Sequence, residues 1–368
     1  MYLSYSHKRS YEAIWAGIPG CALQPVPALS EHNCLIQGDN LTVLKHLIEA
    51  QHLREKVDLV YIDPPFATQN TFSVSEGRAN TISYRKGGAV AYQDKWDDEA
   101  FLEFLRERLY LLWDLLSARG SIYLHIDYKI GHYVKVIMDE VFGQAQFRND
   151  LTRIKGNPKN FKRKGYGNYK DLILFYSKGK DPIWHEPHEP YTEAEILRLF
   201  PKVDAEGRRY TTIPLHAPGE TQNGKTAQPF RGIAPPPGRH WRSEVKVLEA
   251  WDAQGLIEWS VNGNPRKKIY ADERPGKRRQ DIWEFKDPQY PVYPTEKNAA
   301  LLELIVRTSS DPGSLVLDCF CGSGVALQAA QRLGRRWIGV DASDEAIKAT
   351  QRRLEGEDFA FCQAVAMK

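Results

Sequence analysis

Cysteine, methionine and long apolar runs are scarce in this sequence of 368 residues. The five cysteines, an odd number at scattered spacings, argue against a disulfide framework and favour a reducing compartment. No apolar run reaches membrane length and the first residues show no signal-peptide pattern, so we expect a soluble protein of the cytoplasm with no membrane partner. The formal net charge is only +3, which as a whole gives weak support for a nucleic-acid partner.

Two short patterns of cysteine and histidine are spaced like pairs of metal ligands. Cys319-x-Cys321 lies inside a glycine-rich loop and has no second cysteine or histidine pair at zinc spacing. His185-x-x-His188 is better explained by histidines of a loop. We therefore expect no metal site.

Positive charge is concentrated in the middle of the chain. Residues 151–290 contain 26 Lys and Arg against 18 Asp and Glu, whereas the remainder contains 24 against 29. The segment 151–170 has no acid and holds the basic residues Arg153, Lys155, Lys159, Lys162, Arg163, Lys164 and Lys170. Interleaved glycines and asparagines predict a flexible loop that contacts phosphates, although such a run is usually only a solvated face.

The stretch 61–66 follows a short apolar, β-branched run that predicts a buried strand. Pro64 and Pro65 cannot continue the ladder, so Asp63 and Phe66 lie just past the carboxyl end of this strand. Ligands bind at that edge of open α/β sheets, which makes the position a candidate site. A turn with a capping acid and a core phenylalanine is the alternative.

The chemistry that suits this stretch is methyl transfer to an exocyclic amine. The nitrogen lone pair is delocalised into the base ring, and the Asp63 carboxylate and the Pro64 carbonyl can each accept one N–H group. Pro65 fixes the backbone angle φ, which aims both acceptors. Phe66 offers a flat face for a base that has been taken out of the duplex.

A second candidate site lies near the carboxyl terminus. Residues 315–318 predict a strand, and Gly322 and Gly324 let the backbone approach a ligand before a helix over 326–333. The next strand, 337–341, ends in Asp341, which is placed to accept hydrogen bonds from ribose hydroxyls as in dinucleotide folds. A dehydrogenase is the rival interpretation, but Leu327 occupies the place of the third glycine of Gly-x-Gly-x-x-Gly.

The alternation of strands and helices predicts an α/β fold with a doubly wound, mostly parallel sheet. Further strands are predicted over 34–37, 121–126, 147–154, 171–177, 256–259 and, as an edge strand, 359–362. Further helices are predicted over 41–48, 98–118, 131–141, 243–254 and 344–354. In the helix 98–118 the apolar residues share one face, while Glu103, Arg106, Glu107 and Asp114 fall largely elsewhere.

The two candidate sites, far apart and in this order, resemble the class beta DNA amino-methyltransferases. These are the adenine-N6 and cytosine-N4 enzymes whose catalytic motif precedes the cofactor motif. Asp63, Pro64, Pro65 and Phe66 match the catalytic motif, and residues 316–324 match the loop for S-adenosylmethionine. The resemblance extends from about residue 34 to 354, is thinnest in the middle, and implies a Rossmann-like core with circularly permuted motifs and S-adenosylmethionine as cofactor.

The resemblance also implies roles for single residues. Cofactor contacts are expected from Asp39, Thr295, Lys297, Asp318, Phe320, Gly322, Gly324 and Asp341. For Asp39, capping of the next helix is an equally physical explanation, and Thr295 is predicted to cap the helix before the glycine loop. Asn298 departs from the proline of many relatives. Asp63 favours adenine, because members that act on cytosine-N4 more often have serine there.

We expect an N-terminal extension (1–33), a catalytic half (34–180), an inserted target-recognition region (181–290) and a cofactor-binding half (291–368). The recognition region would read bases in the major groove. Candidate DNA contacts are Lys155, Lys159, Lys162, Arg163, Lys164, Arg239, Arg242 and Arg266. Residues 67–95 show no stable period and predict a lid or a DNA-contacting loop with Tyr84, Arg85 and Lys86, solvated disorder being the competing interpretation.

The expected function is site-specific adenine-N6 methylation of double-stranded DNA. Cytosine-N4 methylation, an RNA substrate and a non-catalytic DNA-binding subunit are the alternatives, and the intact motifs argue against the last. Relatives of this layout often pair as homodimers, and some work beside a cognate restriction endonuclease on a separate chain. The modest recognition region favours a solitary or simpler enzyme over a subunit of a multi-subunit restriction system.

Overall fold

The computed structural model describes residues 2–26, 29, 32–65, 71–75, 78–80, 89–93, 98–157, 164–221, 223–289, 291, 293 and 296–367, with the backbone alone for 71–75, 78–80, 89–93 and 98. The chain divides into two compact units, Met1–Glu186 with Gln280–Lys368 and Pro187–Arg279. Within the described ranges, no helix combines the length and apolar character that crossing a bilayer requires.

Helices and strands alternate through much of the chain. The helices are α1 (Tyr11–Gly17), α2 (Asn40–Glu49), α3 (Asp98–Leu115), α4 (Gly131–Phe142), α5 (Glu193–Leu199), α6 (Val245–Ala253), α7 (Ala299–Ser309), α8 (Val325–Arg332) and α9 (Asp344–Arg353). The strands are β1 (Cys21–Gln24), β2 (Cys34–Gln37), β3 (Val57–Ile62), β4 (Thr71–Ser75), β5 (Arg78–Asn80), β6 (Ala89–Gln93), β7 (Leu116–Ile126), β8 (Phe147–Ile154), β9 (Lys170–Ser177), β10 (His188–Glu189), β11 (Lys202–Val203), β12 (Arg209–Pro214), β13 (His216–Pro218), β14 (Arg239–Trp241), β15 (Ile257–Trp259), β16 (Pro265–Tyr270), β17 (Lys277–Arg278), β18 (Ile282–Glu284), β19 (Leu315–Asp318), β20 (Arg336–Asp341) and β21 (Ala360–Ala366).

The first unit is built on a ten-stranded sheet with the order β1-β21-β2-β20-β19-β3-β7-β9-β8-β18. The strands from β21 to β7 run parallel to one another, and β18 runs parallel to β8. Antiparallel pairs join β1 to β21 and join β9 to both β7 and β8. The prediction of a doubly wound, mostly parallel sheet is confirmed.

Both faces of this sheet are covered by helices. Successive strand residues point to opposite faces, so Val60 and Ile62 of β3 pack in one apolar cluster with residues of α2, α3 and α4. Leu59 and Tyr61 pack in the other cluster with residues of α7, α8 and α9. Because β2, β3, β19 and β20 are parallel, the residues that follow them meet at one edge of the sheet.

The predicted N-terminal extension, 1–33, contains the helix α1 and the edge strand β1. It covers the polar side of α3: the Tyr5 hydroxyl donates to Glu103 at 2.6 Å and the Tyr11 hydroxyl donates to Asp114 at 2.7 Å. Arg106 and Asp114 are consequently buried. The polar face of α3 is therefore not a solvated surface.

Three further predictions about elements were wrong. β21 is not at the sheet edge, since β1 pairs with it on the outside. Asn298, and not Thr295, caps α7, because its side chain accepts the N–H of Ala300 at 2.9 Å. The stretch 67–95 is not a loop throughout, because it contains β4, β5 and β6, which form a separate antiparallel sheet, and its role as a lid or DNA contact stays a prediction. The lid contacts predicted there, Tyr84, Arg85 and Lys86, lie outside the described residues.

The second unit has its own small core, formed by Leu215, Phe230, Trp241, Leu248 and Ile257. A four-stranded sheet with the order β11-β12-β16-β15 and two pairs, β10-β17 and β13-β14, make up its strands among the described residues. The predicted helix over 243–254 and strand over 256–259 correspond to α6 and β15. The region predicted as 181–290 also takes in residues 181–186 and 280–290, which belong to the first unit.

Candidate active site

A cavity of about 480 Å³ lies at the carboxyl ends of β2, β3, β19 and β20. This volume falls within the range of small-molecule and cofactor sites. Its lining includes the predicted site residues Asp39, Asp63, Pro64, Pro65, Lys297, Asp318, Phe320, Gly322 and Asp341. The fold thus brings the two distant motifs to one cavity. Gly324 lies in the same loop without lining the cavity, and Phe66 and Thr295 lie outside the described residues.

The glycine loop between β19 and α8 is held from behind by α9. Gly322 and Gly324 have φ angles of 51° and 74°, in the left-handed region that favours glycine. The Thr350 hydroxyl donates to the Gly322 carbonyl at 2.9 Å, and Arg353 Nε donates to the Ser323 carbonyl at 2.6 Å. These bonds fix the loop in the shape that lets its backbone approach a ligand.

Of two acids in the cavity, Asp318 is buried and Asp341 is half-buried. Burial raises the pKa of Asp318 well above its usual value, and the charges of Asp63 and Asp341 add to this. Burial also raises the pKa of Asp341, which accepts the N–H of Gly322 at 2.9 Å. A ligand with positive charge and hydroxyl donors would stabilise these carboxylates. S-adenosylmethionine, with its sulfonium, ammonium and ribose hydroxyl groups, fits this set of acceptors.

Asp39 has two contacts that place it at the cavity wall. Its side chain caps α2 by accepting the N–H of Thr42 at 3.1 Å, and Arg108 of α3 lies 3.3 Å from its other oxygen. Arg108 Nε also donates to Asn40 at 2.6 Å, and Asn40 in turn donates to the carbonyl of Cys319 at 2.7 Å. Burial lowers the pKa of Arg108 to about 10, which leaves it charged at neutral pH. Arg108 therefore ties α3 to the turn after β2 and to the glycine loop.

Among the described residues, the catalytic candidate Asp63 has a partner for one carboxylate oxygen only. Its Oδ2 atom lies 2.5 Å from Nζ of Lys297, whose side chain is only 8% exposed. Its Oδ1 atom is buried and has no hydrogen-bond partner among the described residues. A predicted cofactor contact, Lys297, is thus bound to the predicted catalytic acid. The arrangement holds the carboxylate in one orientation and leaves one acceptor for a ligand.

Several residues of the cavity were not predicted from the sequence. They include Asn40, Tyr61, Phe104, Arg108 and Tyr293. Phe104 and Arg108 lie one helical turn apart, and the Arg108 guanidinium lies 3.5 Å from the centre of the Phe104 ring. For Arg108 the sequence offered one usable signal, because this basic residue lies beside the apolar positions of α3.

The basic segment of the first unit is partly built into the core. Arg153 is fully buried in β8 and donates to the Phe285 carbonyl at 2.8 Å, so the prediction of a phosphate-contacting loop was wrong for this residue. Lys155 pairs with Asp171 at 2.6 Å, while Lys164 is exposed. The other three candidates, Lys159, Lys162 and Arg163, lie outside the described residues.

Three predicted DNA contacts converge in the second unit. Arg239 lies 3.1 Å from Nδ1 of His216, Arg242 donates to the Pro214 carbonyl at 3.2 Å, and Arg266 donates to Thr212 Oγ1 at 2.8 Å. Burial and the charges of the three arginines lower the pKa of His216. In the part of the chain that the structure describes, none of the three forms an ion pair with an acid, so their positive charge is not neutralised.

Comparisons with known proteins agree with this site. A family model described as DNA methylase matches residues 57–352. Type II methyltransferase M.EcaI of Enterobacter cloacae is 39% identical over 328 residues, covering 88% of this chain and 69% of the relative. The type III restriction-modification enzyme EcoPI Mod subunit of Escherichia phage P1 is 32% identical over 407 residues, covering 90% of this chain and 61% of the relative.

Among solved structures, the PvuII DNA methyltransferase (cytosine-N4-specific) has a TM-score of 0.50 at 15% identity, covering 89% of this chain and 88% of that chain. At this identity the likeness concerns the fold alone. The family match, in contrast, extends over most of the chain and includes both motifs of the cavity. The chain therefore belongs to the DNA methylase family of adenine-N6 and cytosine-N4 enzymes, and its cofactor is S-adenosylmethionine.

Proposed function

We propose that this chain is a site-specific adenine-N6 methyltransferase of double-stranded DNA. The observation that carries the proposal is the state of Asp63, with one oxygen held by Lys297 and the other buried without a partner among the described residues. A buried acceptor in this state suits an N–H donor that arrives with the substrate. Its position in the same cavity as the glycine loop supports methyl transfer between a bound cofactor and a bound base.

The residues around Asp63 suit the chemistry of an exocyclic amine. Asp63 Oδ1 would accept one N–H of the amine, and the Pro64 carbonyl would accept the other. These two bonds would draw the nitrogen lone pair out of conjugation with the ring and favour a pyramidal nitrogen. S-adenosylmethionine supplies the electrophilic methyl group when it is bound. Positioning carries most of the rate, so no strong general base is required and the proton leaves after transfer. We propose Phe66 as the surface on which the flipped base stacks.

Adenine is preferred over cytosine because position 63 is aspartate, whereas family members that act on cytosine-N4 more often have serine there. The solved structure of the cytosine-N4-specific PvuII enzyme supports only the fold. Cytosine-N4 methylation stays the second candidate, with the same acceptors for the amine.

We propose that the second unit recognises the DNA sequence and that Arg239, Arg242 and Arg266 contact the DNA. Support comes from their convergence around His216 and from the absence of acidic partners among the described residues. Lys155 and Lys164, together with Lys159, Lys162 and Arg163, are proposed as phosphate contacts of the first unit. Contacts of this kind give affinity, and sequence is read by the side chains that reach base edges.

The names of the relatives support a role in restriction and modification, because they include a type II methyltransferase and a type III Mod subunit. A cognate restriction endonuclease on a separate chain, a homodimeric state and action in the cytoplasm are proposals that follow from this role. Light scattering of the purified chain, alone and with DNA, tests the homodimer.

Methyl incorporation from labelled S-adenosylmethionine into bacterial DNA without its own methylation tests the function. The labelled nucleoside is identified after digestion, and the RNA alternative is tested by competition with RNA. We expect N6-methyladenine as the product. N4-methylcytosine as the product would support the same mechanism with cytosine as the target base. Absence of transfer despite cofactor binding would support the non-catalytic DNA-binding subunit instead.

A further inference from the structure

A chain of buried polar side chains lies behind the catalytic acid on β3, β7 and β9. The Tyr61 hydroxyl lies 3.1 Å from His125 Nδ1, and His125 Nε2 lies 3.2 Å from Asp171 Oδ2. His125 is fully buried, and Tyr61 and Asp171 are only 3% and 2% exposed. Tyr61 precedes Asp63 by two residues and lines the same cavity, so this polar chain reaches the cavity wall.

The partners of His125 determine where its proton lies. Burial lowers the pKa of His125 more than the hydrogen bond to Asp171 raises it, so the ring is neutral at physiological pH. Burial raises the pKa of Asp171, but the hydrogen bond from His125 and the charge of Lys155 lower it by more. Asp171 therefore stays ionised. Nε2–H accordingly donates to Asp171, and the unprotonated Nδ1 accepts the proton of the Tyr61 hydroxyl.

Asp171 is itself fixed by two cations, of which Arg153 shares Oδ2 with His125 and Lys155 holds Oδ1. Arg153 lies 3.4 Å from Asp171 Oδ2, and Lys155 lies 2.6 Å from Asp171 Oδ1. Arg153 is held in turn by the Phe285 carbonyl at 2.8 Å and by Asp287 at 2.5 Å. The orientation of the imidazole is therefore set by an anchored carboxylate.

Stability alone does not account for this network. An apolar cluster of similar volume is often as stable as a buried network of charged and polar groups. The neighbouring tyrosine on β7 gives a comparison: Tyr123 pairs with Tyr61 in strand register, donates to or accepts from Ser309 at 2.8 Å, and does not line the cavity. Tyr61 differs because it forms part of the cavity wall, where burial and the charge of Asp63 raise its pKa.

We propose that His125 is a positioning residue for methyl transfer, which through Nδ1 holds the Tyr61 side chain at the cavity wall beside Asp63. The target amine then meets a wall of fixed shape when it reaches Oδ1 of Asp63. The inference rests on the proposed methyl transfer to DNA, although not on which base receives the methyl group.

The test compares Tyr61→Phe, His125→Asn and His125→Gln with Tyr123→Phe as the matched control. The amide oxygen of asparagine can take the place of Nδ1, whereas the amide of glutamine reaches the place of Nε2. Steady-state methyl incorporation into DNA, calorimetry of S-adenosylmethionine binding and thermal unfolding are measured on the same preparations.

We expect Tyr61→Phe and His125→Gln to lower kcat about ten-fold while KM for DNA and Kd for the cofactor change less than about two-fold. His125→Asn should keep more activity than His125→Gln although it unfolds at a lower temperature, because Asp171 loses its donor. Tyr123→Phe should keep the wild-type kcat.

A purely structural role predicts the opposite order of activity, since glutamine still donates to Asp171 and would be both the more stable and the more active variant. That order, or an unchanged kcat in Tyr61→Phe, overturns the inference. If the His125 variants do not fold, Tyr61→Phe decides the matter, because it removes a single hydroxyl. A wild type that methylates no DNA would refute the methyltransferase function itself, which separates the two failures.

Discussion

Lys297 was predicted from the sequence only as a cofactor contact. In the structure its ammonium group lies 2.5 Å from one oxygen of Asp63 and fixes that oxygen. Replacement by methionine keeps the volume of the stem and removes the charge. The carboxylate then loses its partner, and we expect kcat to fall about ten-fold or more. Calorimetry of S-adenosylmethionine binding on the same variant separates this effect from lost cofactor affinity.

Lys135→Met is the control for that experiment, since it removes an ion pair of 2.7 Å with Asp139 on α4, outside the cavity lining. Its kcat should equal that of the wild type. A Lys297→Met enzyme as fast as the control would contradict the role assigned to the pair.

The pH dependence of cofactor binding follows from Asp318 and Asp341. Burial raises the pKa of both carboxyl groups, so as the pH falls they take up protons earlier than ordinary aspartates and lose their attraction for a cationic ligand. We expect Kd for S-adenosylmethionine to rise as the pH falls from neutral into the acidic range. Calorimetry at several pH values measures this Kd. Asp341→Asn should bind more weakly with a flatter profile, and a wild-type Kd independent of pH would argue against the assignment.

Part of the site could be predicted residue by residue. Asp63, Asp318 and Asp341 each follow a short apolar strand, and this local pattern places an acid at the sheet edge. The contact between Asp63 and Lys297 could not be predicted in this way, because it depends on the sheet order that sets β3 beside β19. The same holds for Arg108, whose partners Asp39 and Asn40 come from another helix.

At the scale of elements, the glycine loop depends on its packing against α9. A Cβ atom at Gly324 would lie 2.7 Å from the Thr350 side chain, at a φ of 74°. Gly334, at a φ of 71°, has no atom of a described residue within 4 Å of such an atom. We expect alanine to cost about 1 kcal/mol at either position for the backbone, and about 1–3 kcal/mol more at Gly324 for the clash.

Thermal unfolding and cofactor calorimetry of Gly324→Ala and Gly334→Ala test this packing. Only the first variant should lose affinity for S-adenosylmethionine, because only its loop must move. Equal losses in the two variants would mean that the shape of the loop does not depend on α9.

The elements with a long apolar period, α3 and α4 among them, were predicted within a few residues, since many positions contribute to the pattern. The start of α7 was not, because two residues able to cap a helix, Thr295 and Asn298, lie close together and the choice depends on hydrogen bonding. The place of β21 within the sheet depends on β1, a strand of four residues that is too short to show a period.

At the scale of the whole molecule, positive charge belongs to the middle of the sequence, and the second unit gathers three arginines around His216. Combined replacement of Arg239, Arg242 and Arg266 by glutamine should weaken DNA binding. For each of them that contacts a phosphate, the slope of log K against log salt concentration should fall by about 0.9. Titration of labelled DNA by anisotropy at several salt concentrations measures both effects.

Arg231→Gln serves as the control in the same unit, because Arg231 is exposed but already paired with Asp252 at 2.5 Å. It should leave affinity and slope unchanged, and all variants should bind the cofactor like the wild type. A combined variant that binds DNA with the wild-type slope would remove these arginines from the interface.

The limits of the second unit could not be predicted from composition. Residues 181–290 are rich in tryptophan and proline, yet Trp184 stacks on Phe175 at 5.9 Å and Trp283 packs in the core of the first unit. Residues 181–186 and 280–290 therefore belong to the first unit although their composition resembles that of the second. Composition reports residue types, whereas the unit to which a segment belongs is decided by its contacts.

The rate of a single methyl transfer in Asp63→Ala tests the account most directly, with cofactor and DNA affinities measured on the same preparation. Removal of both carboxylate oxygens takes away the acceptor for the amine and the partner of Lys297. We predict a rate lower by about 10²-fold or more, with both affinities within about three-fold of the wild type. A rate equal to that of the wild type would contradict the assignment of Asp63 as the acceptor for the target amine.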